Sequence, residues 1–235
     1  MDQADLGFIK LWRKMKYSPV FFHPDHEMFR VWVFLLLTAT FKESEEDGAF
    51  ILRGQLFTSR EDLRAKLFPT GGNMLTERCC WKMVTALADM GNINIDGSEE
   101  MAVVTINKWA IYQDKDAHSD RGYFRLYRKI RDSDVFMVPE LLKLWVYCLA
   151  SASFEDTHVP PDLRAMRTQP LRRGQFTVGR NKLRQDLFGK IYRGTPTAVT
   201  CWRWLHKLAD MGAITIQSQG SHSVVTINNW SAYQG

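Results

Sequence analysis

The chain has 235 residues, with 31 Lys+Arg against 26 Asp+Glu, 45% hydrophobic and 24% charged, a balance that excludes a disordered or fibrous protein and fits an ordinary globular one. Its longest nearly unbroken apolar run, Val31 to Ala39, is about half of the ~20 residues a bilayer-spanning helix needs, and the start MDQADLG lacks a basic-then-apolar leader. The expectation is a cytoplasmic protein without membrane contact. Cys79, Cys80, Cys148 and Cys201 form no CxxC pair, so each reads as a small buried apolar residue and not as a zinc ligand or half of a disulfide.

The chain is an internal repeat, and this decides its architecture. GFIKLWRKMKYSPVF (Gly7 to Phe21) returns as GYFRLYRKIRDSDVF (Gly122 to Phe136), and VWVFLLLTATF (Val31 to Phe41) returns as LWVYCLASASF (Leu144 to Phe154). RGQLFTSREDLRAKLF (Arg53 to Phe68) matches RGQFTVGRNKLRQDLF (Arg173 to Phe188), and the closing stretch Leu87 to Gln113 matches Leu208 to Gln234. Two homologous domains follow, residues 1–116 and 117–235, joined near the polar stretch DKDAHSDR.

In chain order, each repeat opens with a basic strip: Lys10, Arg13, Lys14 and Lys16, then Arg125, Arg128, Lys129 and Arg131. Each strip is expected to pack its apolar side and turn its cations to solvent or phosphate. The block from Val31 or Leu144 is long and aromatic enough for a buried helix, and the acidic stretch KESEEDG after the first reads as a solvated turn. RGQ then leads a short strand and a second helix, with Leu63, Leu67 and Phe68, or Leu183, Leu187 and Phe188, on one face. After the turns PTGGNM and GKIYRGTP, Thr76 and Thr197 are expected to cap a third helix that stops at Met90-Gly91 or Met211-Gly212. Its core stripe is Cys80, Val84, Leu87 and Met90, or Cys201, Leu205, Leu208 and Met211. Two β-prone runs around a polar tip make a closing hairpin, anchored by Trp109 or Trp230 and closed by Tyr112 or Tyr233. The predicted fold class is α+β, two tandem winged helix-turn-helix domains.

The opening G-[FY]-[IF]-[KR]-L-[WY]-R-K, the RGQ strand, the L-x-x-x-G-x-I helix end and the closing T-I-N-x-W-x-x-YQ pattern resemble the winged-helix domain of DnaD-like replication proteins of phages and mobile elements. The resemblance implies DNA binding at replication initiation and, in some members, recruitment of a helicase or its loader. Such proteins carry one winged helix followed by a helical domain, whereas here the second half repeats the first. At the level of architecture alone, tandem winged helices also resemble plasmid replication initiators that grip repeated origin sites.

Charge separates the two copies. Residues 1–121 hold 15 Lys+Arg against 18 Asp+Glu, net −3, and residues 122–235 hold 16 against 8, net +8. Affinity for nucleic acid comes from neutralising phosphates, so the second copy is the expected DNA binder. On its third helix the candidates are Thr197, Thr200, Trp202, Arg203 and His206, with Arg193 in the preceding turn. Arg173, Arg180, Lys182 and Arg184 are expected to hold the phosphate backbone, and the wing QSQGSHS offers Ser218, Gln219, Ser221 and His222. The first copy offers Arg78, Trp81 and Lys82 on the equivalent helix, and its wing carries Asp96, Glu99 and Glu100, which phosphates repel. Trp81 and Trp202 share one position outside the core stripe, which suggests contact with a partner, and Trp204 reads as a packing residue.

His23 and His26 invite a metal or acid-base reading, but the second repeat has VPEL at the aligned place. The chain contains no GxxxxGK[ST] loop, GxSxG elbow or HExxH pair. The expectation is a non-enzymatic protein without cofactor or metal, binding double-stranded DNA sequence-specifically in replication initiation, with the first domain reading a half-site, recruiting replication proteins or self-associating. The competing expectations are a winged-helix transcriptional repressor or autoregulator and a protein-interaction adaptor.

Overall fold

The computed structural model describes residues 7–46, 49–68, 75–113, 122–157, 170–190, 193–220 and 222–234. The turn PTGGNM, the linker 114–121, Ser221 and the side chain of Tyr112 lie outside the described residues. The architecture is mixed α+β, and the two repeats share one order of elements except for the paired strands β2 and β3 of the first, which have no counterpart among the described residues of the second. The first runs β1 (Phe8–Trp12), a 3-10 helix (Arg13–Tyr17), α1 (Pro19–Phe22), α2 (His26–Thr38), β2 (Ser44–Glu46), β3 (Ala49–Ile51), β4 (Gln55–Thr58), α3 (Arg60–Leu67), α4 (Glu77–Asp89), β5 (Ile93–Ser98), β6 (Met101–Ile106) and α5 (Trp109–Gln113). The second runs β7 (Tyr123–Tyr127), a 3-10 helix (Arg128–Asp132), α6 (Asp134–Met137), α7 (Pro139–Ser151), β8 (Gln175–Val178), α8 (Arg180–Phe188), α9 (Ala198–Asp210), β9 (Ile214–Ser218), β10 (Ser223–Ile227) and α10 (Trp230–Gln234).

The apolar blocks form α2 and α7 because they are hydrophobic nearly all round and so must be enclosed on all sides. Asp25 caps α2 by accepting from the Glu27 amide at 2.9 Å, and Pro139 opens α7 at a position where a missing N–H costs nothing. Thr76 and Thr197 cap α4 and α9, accepting from the amides of Cys79 at 3.3 Å and Thr200 at 3.1 Å. In each repeat the strand after RGQ pairs antiparallel with the second arm of the hairpin, giving the sheet orders β4-β6-β5 and β8-β10-β9. The RGQ glycine is required by contact as well as conformation. Gly54 has φ +82, and a Cβ there would sit 2.5 Å from Trp109; Gly174 has φ +77 and would meet Trp230 at 2.8 Å.

Three expectations change. Met90 and Met211 are 40% and 39% exposed, because each is a helix C-cap that has turned off the core stripe before Gly91 and Gly212 reverse the chain. KESEEDG is not merely a turn, since Ser44–Glu46 pairs antiparallel with Ala49–Ile51. The basic strips are not simply solvated, because Arg13 and Arg128 are half-buried and spend their guanidinium groups on protein partners.

The chain divides into two compact units that do not follow the sequence repeats throughout. Unit 1 takes the described residues of Met1–Lys10, Asp25–His118 and Leu126–Ser133; unit 2 takes those of Leu11–Pro24, Ser119–Arg125 and Asp134–Gly235. Each unit therefore includes a short segment contributed by the other repeat. In unit 1, Phe29, Val33, Leu37, Leu63, Leu67, Val84, Leu87 and Val104 form the core, and Arg128 of the second repeat donates to the Ala39 carbonyl at 3.0 Å and lies over Phe41. In unit 2, Leu142, Val146, Leu183, Leu187, Leu205, Leu208 and Val225 form the core together with Val20 and Phe21 of the first repeat, whose helix α1 packs against α8, each buried aliphatic side chain contributing roughly 1.5–3 kcal/mol. Leu11–Pro24 also carries Arg13, Lys14 and Lys16, with no carboxylate, into unit 2.

Candidate nucleic-acid interface

In unit 2, α9 buries Cys201, Leu205 and Leu208 and leaves Val199, Arg203 and His206 exposed with Trp202 half-buried beside them. These four stand at i, i+3, i+4 and i+7, a single stripe of the helix. Trp202 is held on edge by His206, with ring centroids 5.9 Å apart, while the guanidinium carbon of Arg180 on α8 lies 5.6 Å over the indole. Arg180 is thus positioned by a neutral aromatic surface and keeps its charge available. Arg193, in the turn before α9, and Arg203 are exposed, and among the described residues no carboxylate pairs with Arg180, Arg193 or Arg203. The first turn of α9 carries no acid, so its amide dipoles add to the positive field.

The other predicted residues divide. Thr197 and Thr200 are already engaged with each other, their hydroxyl oxygens 3.0 Å apart at the helix cap. Arg184 donates from Nε to the Pro196 carbonyl at 2.8 Å, as Arg64 donates to Leu75 in unit 1 at 3.2 Å. Each arginine ties the residue just before the third helix's threonine cap to the helix before it, so Arg184 acts first as a strut that orients α9. Lys182 is paired with Asp186 at 2.6 Å, and that bond raises its pKa; Asp186 also accepts from the Tyr147 hydroxyl at 2.9 Å. Arg173 precedes β8, whose Gln175 faces Thr226 and whose Val178 faces Ser223. It lies at the end of the strand away from α8 and the hairpin tip, a separation of ~13 Å or more, and is not brought to the α9 face. His222 is exposed in the hairpin tip, with its carbonyl accepting from the Gln219 amide at 2.8 Å.

Unit 1 repeats this geometry with opposite electrostatics. Arg60 stands where Arg180 stands, but its Nη1 is 2.6 Å from Glu99 of the hairpin tip and its Nε is 3.8 Å from Glu77 in the first turn of α4. The aligned residues in unit 2 are Gly220 and Ala198. Two carboxylates that neutralise the first copy's arginine are therefore missing from the second. Arg78 and Lys82 are exposed on α4, and Arg78 lines an open hollow of 370 Å³ with Arg60, Arg64, Leu75, Thr76 and Glu77. Trp81 corrects the expectation of a partner-facing ring. It is 9% exposed, because the buried arc of α4 takes in Cys80, Trp81, Met83, Val84 and Leu87 and is wider than the predicted stripe. An indole costs less inside that arc than in water. Trp204 packs 6.4 Å from Phe188, in the direction expected of it.

Two features of the structure carry no clear local mark in the sequence. Val199 is one, because an aliphatic residue on an amphipathic helix reads as core, yet it is 51% exposed at the head of the stripe. The closing glutamines are the other. Gln113 accepts from the Lys10 amide at 2.9 Å and donates to the Lys10 carbonyl at 3.0 Å, and Gln234 does the same with Arg125 at 2.8 and 2.9 Å. Each side-chain amide substitutes for one peptide of a neighbouring strand.

Three of the thiols are held protonated and away from nucleophilic chemistry, since burial pushes Cys80 and Cys201 up to about 11 and Cys148 higher still. Among the described residues, no group of three His, Cys, Asp or Glu is placed to hold a metal ion, and no helix is long and apolar enough to cross a membrane. No protein-family model, curated protein or solved structure matches this chain.

Proposed function

We propose that the protein is a sequence-specific double-stranded DNA-binding protein built from two tandem winged helix-turn-helix repeats, acting in replication initiation of a phage or other mobile element. The order of helix, strand, helix, helix and hairpin in each repeat supports the winged-helix reading, in which the last long helix enters the major groove and the preceding helix meets the backbone. The observation that carries the DNA reading is the replacement of the Glu77–Arg60–Glu99 clamp by Ala198, Arg180 and Gly220, which leaves an unneutralised arginine stacked on Trp202 beside the exposed face of α9. The role in replication rests on the resemblance of the repeat motifs. Arg203 and His206 read base edges, while Arg180 and Arg193 hold phosphates.

A second reading is favoured for unit 1. Its clamped arginine and acidic hairpin tip suit a protein partner, such as a helicase, a loader or another copy of the chain, better than a phosphate backbone.

The test is selection of duplexes from a random pool at fixed salt, followed by anisotropy titration. Arg203→Ala is expected to weaken the selected site by ~1–3 kcal/mol and to flatten preference at one base pair, whereas Arg180→Ala weakens all sequences and lowers the salt slope by about 1. Footprints at an origin support replication; footprints at a promoter make the protein a transcriptional regulator. If no duplex is retained at low ionic strength, the DNA reading falls.

A further inference from the structure

We propose that Val199 is a specificity-determining residue that reads a thymine, packing its isopropyl group against the C5-methyl of one T·A pair in the major groove. The inference rests on the DNA-binding reading of α9 and goes beyond it by naming the base class recognised at one position.

Val199 is 51% exposed and heads the stripe that continues through Trp202, Arg203 and His206. It lies in the first turn of a 13-residue helix, and in a helix-turn-helix the N-terminal residues of this helix are the ones that reach base edges. The major groove presents one apolar group, the thymine methyl, and an aliphatic side chain among polar neighbours is complementary to it and to no other base. The flanking groups do not compete for that contact. Ala198 has no reach, and the Thr200 hydroxyl is held 3.0 Å from the Thr197 hydroxyl at the cap. Unit 1 has Arg78 at the aligned position, a side chain suited to guanine, so the two helices do not present the same reading head.

The experiment uses the full chain and the best selected duplex, with each thymine replaced in turn by deoxyuridine, which removes only the methyl group. One replacement is expected to weaken wild-type binding about fourfold, the factor for losing one buried methyl-sized group. Val199→Ala should bind the thymine and deoxyuridine forms equally at that position, while Arg203→Ala keeps the wild-type ratio there. Alanine is the better helix former and the site is exposed, so the variant folds, and an unchanged thermal melt checks this. The inference is overturned if every deoxyuridine replacement leaves wild-type binding unchanged, or if Val199→Ala retains the discrimination. Absence of binding to any duplex overturns the DNA reading itself, and this inference with it.

Discussion

The guanidinium of Arg13, from the first repeat, lies 4.8 Å over the ring of Phe154 in unit 2 and donates to the Ala150 carbonyl at 3.1 Å. In unit 1, Arg128 takes the equivalent position, 4.7 Å over Phe41 with its bond to Ala39. Burial lowers the pKa of both arginines, that of Arg128 to about 10, with Arg131 adding repulsion there. These cations fasten an exchanged segment to its host unit, which is a packing function and not a phosphate-binding one. Arg13→Ala is therefore expected to cost ~1–3 kcal/mol in urea unfolding, through lost packing and the unpaired carbonyl, whereas exposed Lys14→Ala stays within ~0.5 kcal/mol. Equal effects of the two substitutions would refute the fastening role.

Much of the fold was legible because duplication gives every local signal twice. The RGQ strand, the threonine caps and the glycine stops each occur at aligned positions, and each takes the expected structure. The exchange of Leu11–Pro24 was not legible, since identical motifs in both repeats leave no local cue to which copy a segment packs against. In the candidate interface, Arg203 and His206 were readable from helical period alone, but the status of Arg180 was not. It depends on whether carboxylates distant in sequence, Glu99 in one copy and none in the other, close onto the arginine.

Gln113 and Gln234 each satisfy the backbone N–H and C=O of one strand residue, Lys10 and Arg125 respectively. Replacing either with Leu strands a part-buried N–H and C=O, a loss of ~1–3 kcal/mol. The local signature is amide hydrogen exchange. The Lys10 amide should exchange faster in Gln113→Leu, and the Arg125 amide in Gln234→Leu, each without effect on the other. Unchanged exchange in both would show that the bonds do not hold the strands.

Lys143 is 1% exposed, with its ammonium 5.2 Å over Phe21, 4.8 Å over Phe188 and 3.4 Å from the His23 carbonyl. Burial lowers its pKa to about 8 from the usual 10.5. Below pH 8 both folded and unfolded chains carry the proton, and the burial penalty is fully present. Between about pH 8 and 10.5 the folded chain has released a proton that the unfolded chain still binds, so this group makes stability rise with pH across that window. Lys143→Met should remove the rise and be more stable at pH 7 by ~1–3 kcal/mol, as when a buried ion gives way to a packed apolar residue. Urea midpoints at pH 7 and pH 9 for the two proteins check it, and a parallel shift in both would contradict the assignment.

The clamp on Arg60 predicts that the two units can be made to exchange electrostatic character. Glu77→Ala removes the partner 3.8 Å from Arg60, and Glu99→Gln neutralises the one at 2.6 Å. Together they should steepen the salt dependence of duplex binding by about one phosphate contact, a slope change near 0.9. In unit 2, Ala198→Glu places a carboxylate in the first turn of α9, where it draws Arg180 away from Trp202 and repels the backbone. It should lower the slope by a similar amount and weaken the selected and random duplexes together, since a phosphate contact carries no sequence information. Tryptophan emission, taken as the difference from a Trp202→Phe background since the chain has eight tryptophans, offers a second readout, because the indole loses the cation above it even without DNA. Were Ala198→Glu to change neither slope nor emission, Arg180 would not be the residue that distinguishes the two copies.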